Sequence, residues 1–245
     1  MECVAPESSR VPWEPDWTAR EVITALEPLV GEQRRERIAR VLSQRIESVV
    51  MLLDAPHDPH NAAAVLRSCD AFGVQELHVL TRVEPCLLSR RVARGTLGWV
   101  DIVEHGAPEA AIGQLAARGF ELVAAHPEGE LVAEDLAGIE RVGLVLGNEH
   151  QGIHPALRSA CHRSVRVPMR GFVESLNVSV CAAILLAGAT RGRAGDLPPA
   201  RRQELYARGL FRTVPRAGEV LKALKSAAGP RPTPPGGEGW KGPVT

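Results

Sequence analysis

Aromatic residues are scarce in this sequence: they make up 4% of its 245 positions, although 44% of the positions are hydrophobic. A core must therefore be built mainly from Val, Leu, Ile and Ala. No run of about 18 uncharged apolar residues occurs, so we expect no membrane-spanning helix. The first residues also lack a basic stretch followed by an apolar one, and we expect no secretory signal.

Cysteine is sparse and scattered. The five cysteines are odd in number and include no CxxC pair. This spacing argues against a disulfide framework and against a zinc site, and it favours a reducing compartment. We therefore predict a cytoplasmic protein. Cys69 and Cys181 fall within apolar helical patterns and are predicted to be small core residues.

Several common site motifs are missing. The region with alternating strands and helices has no GxGxxG segment and no phosphate-binding loop ending in Lys-Ser or Lys-Thr, and the sequence has no GxSxG elbow. These absences weigh against dinucleotide-dependent enzymes, P-loop enzymes, common Rossmann-type methyltransferases and α/β-hydrolases. His57 and His60 stand three residues apart in a Pro-containing loop without a nearby thiolate. We interpret them as polar loop residues and predict no metal site.

Short apolar runs alternate with helical segments along the middle of the chain. The predicted strands are 48–54, 76–80, 99–105, 120–126, 142–147 and 163–168. The predicted helices between and after them are 61–73, 107–119, 154–160 and 178–192. This alternation is typical of an α/β domain with a mostly parallel sheet and helices on both faces. Asn61 is the predicted N-cap of its helix, and Gly73 is predicted to end it.

Helical segments flank this region on both sides. They are predicted at 19–30, 31–45, 199–210 and 216–227. The formal net charge of the chain is zero, but residues 31–45 hold five arginines against two glutamates, and residues 191–225 hold nine bases against three acids. Such segments are either solvated helix surfaces or basic faces for an anionic partner. Residues 1–18 and 228–245 are rich in Pro and in polar residues or Gly, and we predict disorder there.

Three polar clusters follow predicted strands, where α/β proteins bind their ligands. They are Asn61 with Arg67, the segment GNEHQG at 147–152, and the loop 169–177. A helix cap, a surface arginine or a simple turn would explain each cluster taken alone.

Taken together and in this order, the segments NAAAVLRSCDAFG, LVLGNEHQGI and VRVPMRGFVESLNVSVCAAILL resemble the three motifs of the SpoU-class RNA 2′-O-ribose methyltransferases. The resemblance spans residues 31–193. It implies an S-adenosylmethionine-dependent enzyme with a C-terminal trefoil knot, which forms a homodimer through the knot region. The implied organisation is a knotted core at 48–193, with basic RNA-binding helices at 19–47 and 194–227.

The resemblance also implies roles for individual residues. Cofactor-binding residues would be Ala125, Gly147, Val167 and Leu176. Catalytic residues would be Arg67, Asn61, Glu149, Ser175 and Asn177. Arg67 would be central, either as a base or, because a guanidinium stays protonated, as a clamp on the adjacent phosphate. Residues binding RNA phosphates would be Arg34, Arg37, Arg45, Arg191, Arg193 and Arg201.

Within this family, the resemblance is closest to members that methylate a guanosine ribose in the D-loop of tRNA. The basic helices on both sides of the core favour this substrate. The region before the first strand is also too short for the separate N-terminal RNA-binding domain common in relatives that act on ribosomal RNA. Two alternatives remain at this point: a methyltransferase for ribosomal RNA or for another tRNA position, and a non-catalytic RNA-binding protein.

Overall fold

A computed structural model of the chain describes residues 11–81, 98–148 and 150–228. Most of the predicted N-terminal extension, nearly all of the predicted C-terminal tail, Glu149, Cys3 and Cys86 lie outside the described residues. The chain divides into two compact units. One is an α/β unit within 46–194, close to the predicted core of 48–193, and the other is a helical unit whose described residues are 11–45 and 195–228.

The α/β unit is built on a sheet whose described strands are all parallel. In chain order they are β1 (Ile46–Asp54), β2 (Val74–Leu80), β3 (Asp101–His105), β4 (Glu121–Ala125), β5 (Leu131–Val132), β6 (Val142–Leu146) and β7 (Arg163–Arg166). Their order across the sheet is β3-β2-β1-β6-β4-β7-β5. The six predicted strands are confirmed, and β5 was missed because two residues are too few to show a periodicity.

The apolar run in β1 reflects burial of the strand on both faces. Val49, Met51 and Leu53 belong to one hydrophobic cluster, whereas Val50 and Leu52 belong to another. Because successive side chains of a strand point to opposite faces, a strand covered on both faces needs apolar residues at nearly every position. β1 therefore reads as a continuous apolar segment rather than as an alternating one.

Helices cover both faces of the sheet, as predicted. They are α3 (Pro59–Ala71), α4 (Pro108–Ala117), α5 (Pro155–Ala160) and α6 (Val178–Thr190). α3 and α6 supply residues to the cluster that contains Val49, and α4 and α5 supply residues to the cluster that contains Val50. The two clusters are thus separated by the sheet.

The predicted cap of α3 is wrong. The helix begins at Pro59, and the carboxylate of Asp58 accepts a hydrogen bond from the His60 amide at 2.8 Å. Proline is favoured in the first helical turn, because its ring presets φ and it has no amide proton to leave unpaired there. Asn61 is consequently inside the first turns of the helix rather than at its cap. The predicted end at Gly73 is confirmed, with φ of 76°.

The helical unit joins the two flanking regions of the sequence. Its helices are α1 (Ala19–Leu26), α2 (Glu32–Ser43), α7 (Pro199–Thr213) and α8 (Ala217–Ala228), with a short 3₁₀ turn at Glu27–Leu29. Thr18 and Glu21 cap α1 reciprocally. The Tyr206 hydroxyl donates to the Glu27 carboxylate at 2.7 Å, which connects α7 to the turn after α1. The prediction from the sequence treated the two flanking regions as separate segments, whereas the structure places them in one unit.

α6 packs closely against the 3₁₀ helix Ala133–Gly138. Gly188, on the buried side of α6, faces the main chain of Ala133. A Cβ at position 188 would stand 2.5 Å from the Ala133 carbonyl carbon and 2.9 Å from its Cβ. Gly113 in α4 differs, since a Cβ there would meet nothing within 4 Å.

This pair of glycines gives a test of the α6 packing. Gly188→Ala should lower the free energy of unfolding by about 1–3 kcal/mol, because α6 must move away from the Ala133 main chain. Gly113→Ala should raise it by about 0.5–1 kcal/mol, since alanine favours the helix and finds open space. Urea denaturation of both variants measures the difference. Equal midpoints would contradict the close approach.

Candidate functional site

A cleft of about 660 Å³ opens at the carboxyl edge of the sheet, and a smaller cavity of about 140 Å³ adjoins it. The loops after β4, β6 and β7 and the first turn of α6 form their walls. In the sheet, β2 and β3 lie on one side of β1, and β6, β4, β7 and β5 lie on the other side. Ligands of open α/β sheets bind at such a reversal of strand order, and the volume is typical of a small-molecule site.

The residues predicted to bind a cofactor are brought together here. Ala125, Gly147 and Leu176 line the larger cleft, and Ala125, Leu176 and Val167 line the adjoining cavity. Their segments come from β4, β6, β7 and the approach to α6. The grouping of these residues in one place is a structural finding, and their contact with a cofactor stays a prediction.

Main-chain atoms form the floor of the cleft beside Gly147. A Cβ at position 147 would stand 2.5 Å from the Ile153 nitrogen and 2.8 Å from the Gly152 Cα. Any side chain would therefore force the segment after β6 apart. Asn148 and Gly152 exchange both of their main-chain hydrogen bonds, at 3.0 and 2.9 Å, which closes the segment into a tight turn.

Asn148 holds this turn to the loop after β1. Its side-chain amide donates to the Ala55 carbonyl at 2.5 Å. Its side-chain oxygen accepts from the amides of His150 and Gln151 at 2.8 and 3.2 Å. Ala55 itself adopts a φ of 46°, an unusual backbone angle for a residue with a side chain. The sequence analysis placed Asn148 in the cluster GNEHQG with a simple turn as one explanation, and the structure shows that turn.

The start of α6 supplies the opposite wall. Asn177 caps the helix, since its side-chain oxygen accepts from the Ser179 amide at 2.8 Å. Its side-chain nitrogen donates to the Asn61 side-chain oxygen at 3.0 Å. Asn177 therefore acts as a helix cap and also links α3 to the cleft wall. Ser175 lines both cavities beside it.

The cleft is apolar in part and polar in part. Leu146, Ile153, Val178 and Cys181 are among its apolar lining residues. Burial raises the pKa of the Cys181 thiol, so this side chain stays a neutral thiol at neutral pH. Asn148, Ser175, Asn177 and Arg158 bring polar groups to the same cleft. Such a mixture suits a ligand with a flat apolar ring at one end and charged groups at the other.

The predicted catalytic residues do not all meet in the cleft. Ser175 and Asn177 line it, and Asn61 is joined to Asn177. Arg67 is exposed on α3 and is not among the lining residues. It makes no hydrogen bond or ion pair within the part of the chain that the structure describes. Glu149 lies outside that part.

Two of the predicted RNA-binding arginines have structural roles instead. Arg193 donates to the carbonyls of Ala189, Glu140, Leu136 and Ile139, with the first two at 2.7 and 2.8 Å. Its donors therefore fasten the end of α6 to the loop before β6. Arg45 is 1% exposed, which leaves its guanidinium out of reach of a phosphate. The RNA-binding predictions for Arg193 and Arg45 are corrected on these grounds.

The other four arginines remain accessible to different degrees. Arg34, Arg37 and Arg191 are exposed. Arg201 is half-buried and forms an ion pair with Glu204 at 2.6 Å.

Two further residues of the cleft, Arg158 and His126, were not predicted, since nothing in the sequence pattern around either residue indicates a ligand contact. Among the described residues, no group of three or more His, Cys, Asp or Glu is arranged to bind a metal ion.

Comparison with known proteins decides the family. The sequence model of the SpoU rRNA methylase family matches residues 48–187, more than half of the chain. The chain belongs to the SpoU family. The resemblance drawn from its motifs is thereby confirmed. None of its described helices is long and apolar enough to cross a membrane.

Relatives and solved structures agree with this assignment. A tRNA (guanosine(18)-2′-O)-methyltransferase of Thermus thermophilus is 34% identical over 163 residues, which cover 66% of this chain and 84% of the relative. The Aquifex aeolicus TrmH/SpoU tRNA modifying enzyme superposes with a TM-score of 0.65 at 28% identity, covering 76% of this chain and 98% of that one. The SpoU methyltransferase AviRb of Streptomyces viridochromogenes, solved with its cofactor AdoMet, superposes with a TM-score of 0.55 at 28% identity. The match covers 60% of this chain and 58% of that one.

Proposed function

We propose that this protein is an RNA 2′-O-ribose methyltransferase that uses S-adenosylmethionine and acts on a guanosine of the tRNA D-loop. The observation that carries the proposal is the convergence of the family's segments on one cleft: Gly147 follows β6, Leu176 precedes α6, and Asn61 of α3 reaches Asn177 at its rim. The nucleoside follows the name of the Thermus thermophilus relative, in which it is guanosine 18.

The cleft fits the proposed cofactor. Its volume of about 660 Å³ is within the usual range for a ligand of this size. Leu176 and Ile153 offer apolar contacts for an adenine ring, and the main chain beside Gly147 offers hydrogen-bonding groups close to the ligand. S-adenosylmethionine supplies an electrophilic methyl group on a positively charged sulfur.

In the proposed reaction, the ribose 2′-oxygen forms a bond to the methyl carbon as the carbon–sulfur bond breaks. The bonding pair returns to sulfur, and the hydroxyl proton passes to water. Because the leaving group is a neutral thioether, no acid is required. The protein must hold the hydroxyl in line with the methyl group, which is a positioning task.

Arg67 is the residue we assign to that task. A guanidinium stays protonated, and its planar donors match a phosphate in a bidentate contact. Its exposure on α3 leaves it available to RNA. The hydrogen bond between Asn61 and Asn177 connects α3 to the cofactor cleft. It would hold Arg67 of α3 in a fixed position relative to the bound cofactor. Ser175, at the rim, would contact the substrate, and Glu149 is proposed for the same role from its place in the motif.

The helical unit is proposed to bind the tRNA backbone. Arg34 and Arg37 of α2 are exposed, and Arg201 begins the basic run of α7. Arg191, at the end of α6, is an exposed fourth contact. Phosphate contacts give affinity and register without base specificity, so they support RNA binding in general rather than one nucleoside.

The knot and the dimer belong to the same proposal. We place the knot in the segment from β7 through α6, where the family resemblance locates it. The large apolar side chains exposed among the described residues are Leu29, Val41, Phe172, Val173, Val180, Ile184 and Leu224. More than half of them lie between positions 172 and 184, in the loop and on α6. A second copy of the chain seated on this patch would bury it. We propose a cytoplasmic location as well, since a tRNA-modifying enzyme meets its substrate there.

A ribosomal RNA substrate is the second candidate. The description of the matching family names rRNA methylases, which favours this reading at the family level. The same residues would serve either substrate, because ribose and phosphate are common to both RNAs. The difference lies in the shape of the RNA that the basic surfaces accept.

A methylation assay with tRNA and ribosomal RNA transcripts tests the function. The wild-type protein should methylate tRNA, and mass mapping should locate the product at a D-loop guanosine ribose. Arg67→Ala should lower the rate about 100-fold or more through the loss of positioning, while its affinity for S-adenosylmethionine stays within about twofold. Arg163→Ala, on β7 outside the cleft, is the control with normal turnover. Turnover of Arg67→Ala near the wild-type rate would refute its role, and methylation of ribosomal RNA alone would select the second candidate.

The proposed dimer gives a separate prediction. Ile184→Asp should shift the protein from dimer to monomer in sedimentation velocity experiments, because it places a charge within the apolar patch on α6. Val41→Asp makes the same change at an exposed site of the helical unit and should leave the dimer intact. If both variants sediment like the wild type as dimers, the α6 face is not the interface.

A further inference from the structure

Arg158 brings the one guanidinium to the larger cleft among its described lining residues. It lies in the last turn of α5, and its side chain is exposed toward solvent on the cleft side. Within the part of the chain that the structure describes, its guanidinium donates no hydrogen bond and forms no ion pair. Five N–H donors are therefore available at the wall of a site whose other described lining residues include no lysine, arginine, aspartate or glutamate.

α5 is held firmly in place. Leu157, next to Arg158, is 0% exposed and packs into the cluster that contains Val50. The amide of His154 at the start of the helix donates to the buried Asp54 carboxylate at 2.5 Å. The Arg158 amide in turn donates to the His154 carbonyl at 2.9 Å. The backbone that carries Arg158 is thus anchored to the carboxyl end of β1, so its side chain starts from a fixed point.

We infer that Arg158 binds the α-carboxylate of the methyl donor. This inference rests on the proposed function, since it assumes that the cleft holds S-adenosylmethionine. The donor ends in an amino-acid group whose carboxylate needs a cation or several donors once it leaves water. A guanidinium matches a carboxylate in a two-pronged contact, and Arg158 is the described residue of the cleft that can make one.

The position of α5 favours this ligand over an RNA phosphate. α5 packs on the face of the sheet that also carries α4, whereas α3 with Arg67 packs on the opposite face. Arg158 shares the cleft lining with Gly147, Gly152 and Ile153, whose main-chain atoms pack closely together. The donor and the RNA backbone would therefore be held by two arginines from opposite sides of the sheet.

Calorimetric titration of two donors tests the inference. S-adenosylmethionine and its decarboxylated analogue share the adenosine, the sulfonium and the amine, and they differ in the carboxylate. Wild-type protein should bind the analogue roughly tenfold more weakly. Arg158→Gln should bind both compounds alike, with the affinity that the wild type has for the analogue. Arg158→Lys should keep part of the preference, and Arg163→Gln, the same change outside the cleft, should keep all of it.

Equal binding of the analogue by the wild type and by Arg158→Gln shows that the variant is folded, which makes the remaining comparison meaningful. If Arg158→Gln prefers S-adenosylmethionine as strongly as the wild type does, the inference is overturned while the proposed function stands. If it binds the donor normally but loses affinity for tRNA, Arg158 contacts RNA and the inference is again overturned. If the wild type binds neither compound, the proposed function itself fails.

Discussion

At Gly147 the chain leaves β6 with the main chain of Gly152 and Ile153 packed directly against its Cα. The space there is too small for any side chain, so the cleft is bounded by main chain at this point. Asn148 fixes the arrangement, because it bonds Gly152 on one side and Ala55 after β1 on the other. The contact therefore ties the turn after β6 to the loop after β1. A site walled by main chain keeps its shape while the side chains around it vary.

Function is divided across the sheet on this account. We propose that the cleft binds the methyl donor and that α3, on one face, presents Arg67 to the RNA. Asn177 couples the two, since it caps α6 beside the cleft and bonds Asn61 of α3. In the same proposal, α5 on the other face presents Arg158 to the donor. The two charged side chains thus address two different anions, and neither has to be buried before its ligand arrives.

Much of this architecture follows from the sequence, and the exceptions have physical causes. Strands buried on both faces, such as β1, can be recognised in the sequence as apolar runs. The three motifs identified the segments that meet at the cleft. Arg193 was misjudged because a basic residue after a helix gives no sign of whether carbonyl groups lie within its reach. Arg45 was misjudged similarly, since burial of an arginine depends on distant parts of the chain. Arg158 escaped notice because its role comes from the placement of a short helix, which no periodicity records.

The central claim is that main-chain groups on either side of the cleft bind the methyl donor, and amide hydrogen exchange measures main chain directly. Exchange should be compared with and without saturating S-adenosylmethionine. The account predicts that slowed exchange concentrates in the segments 147–153 and 167–178, with little change in the helical unit. Tight binding of the donor with unchanged exchange in both segments, and protection elsewhere, would contradict it.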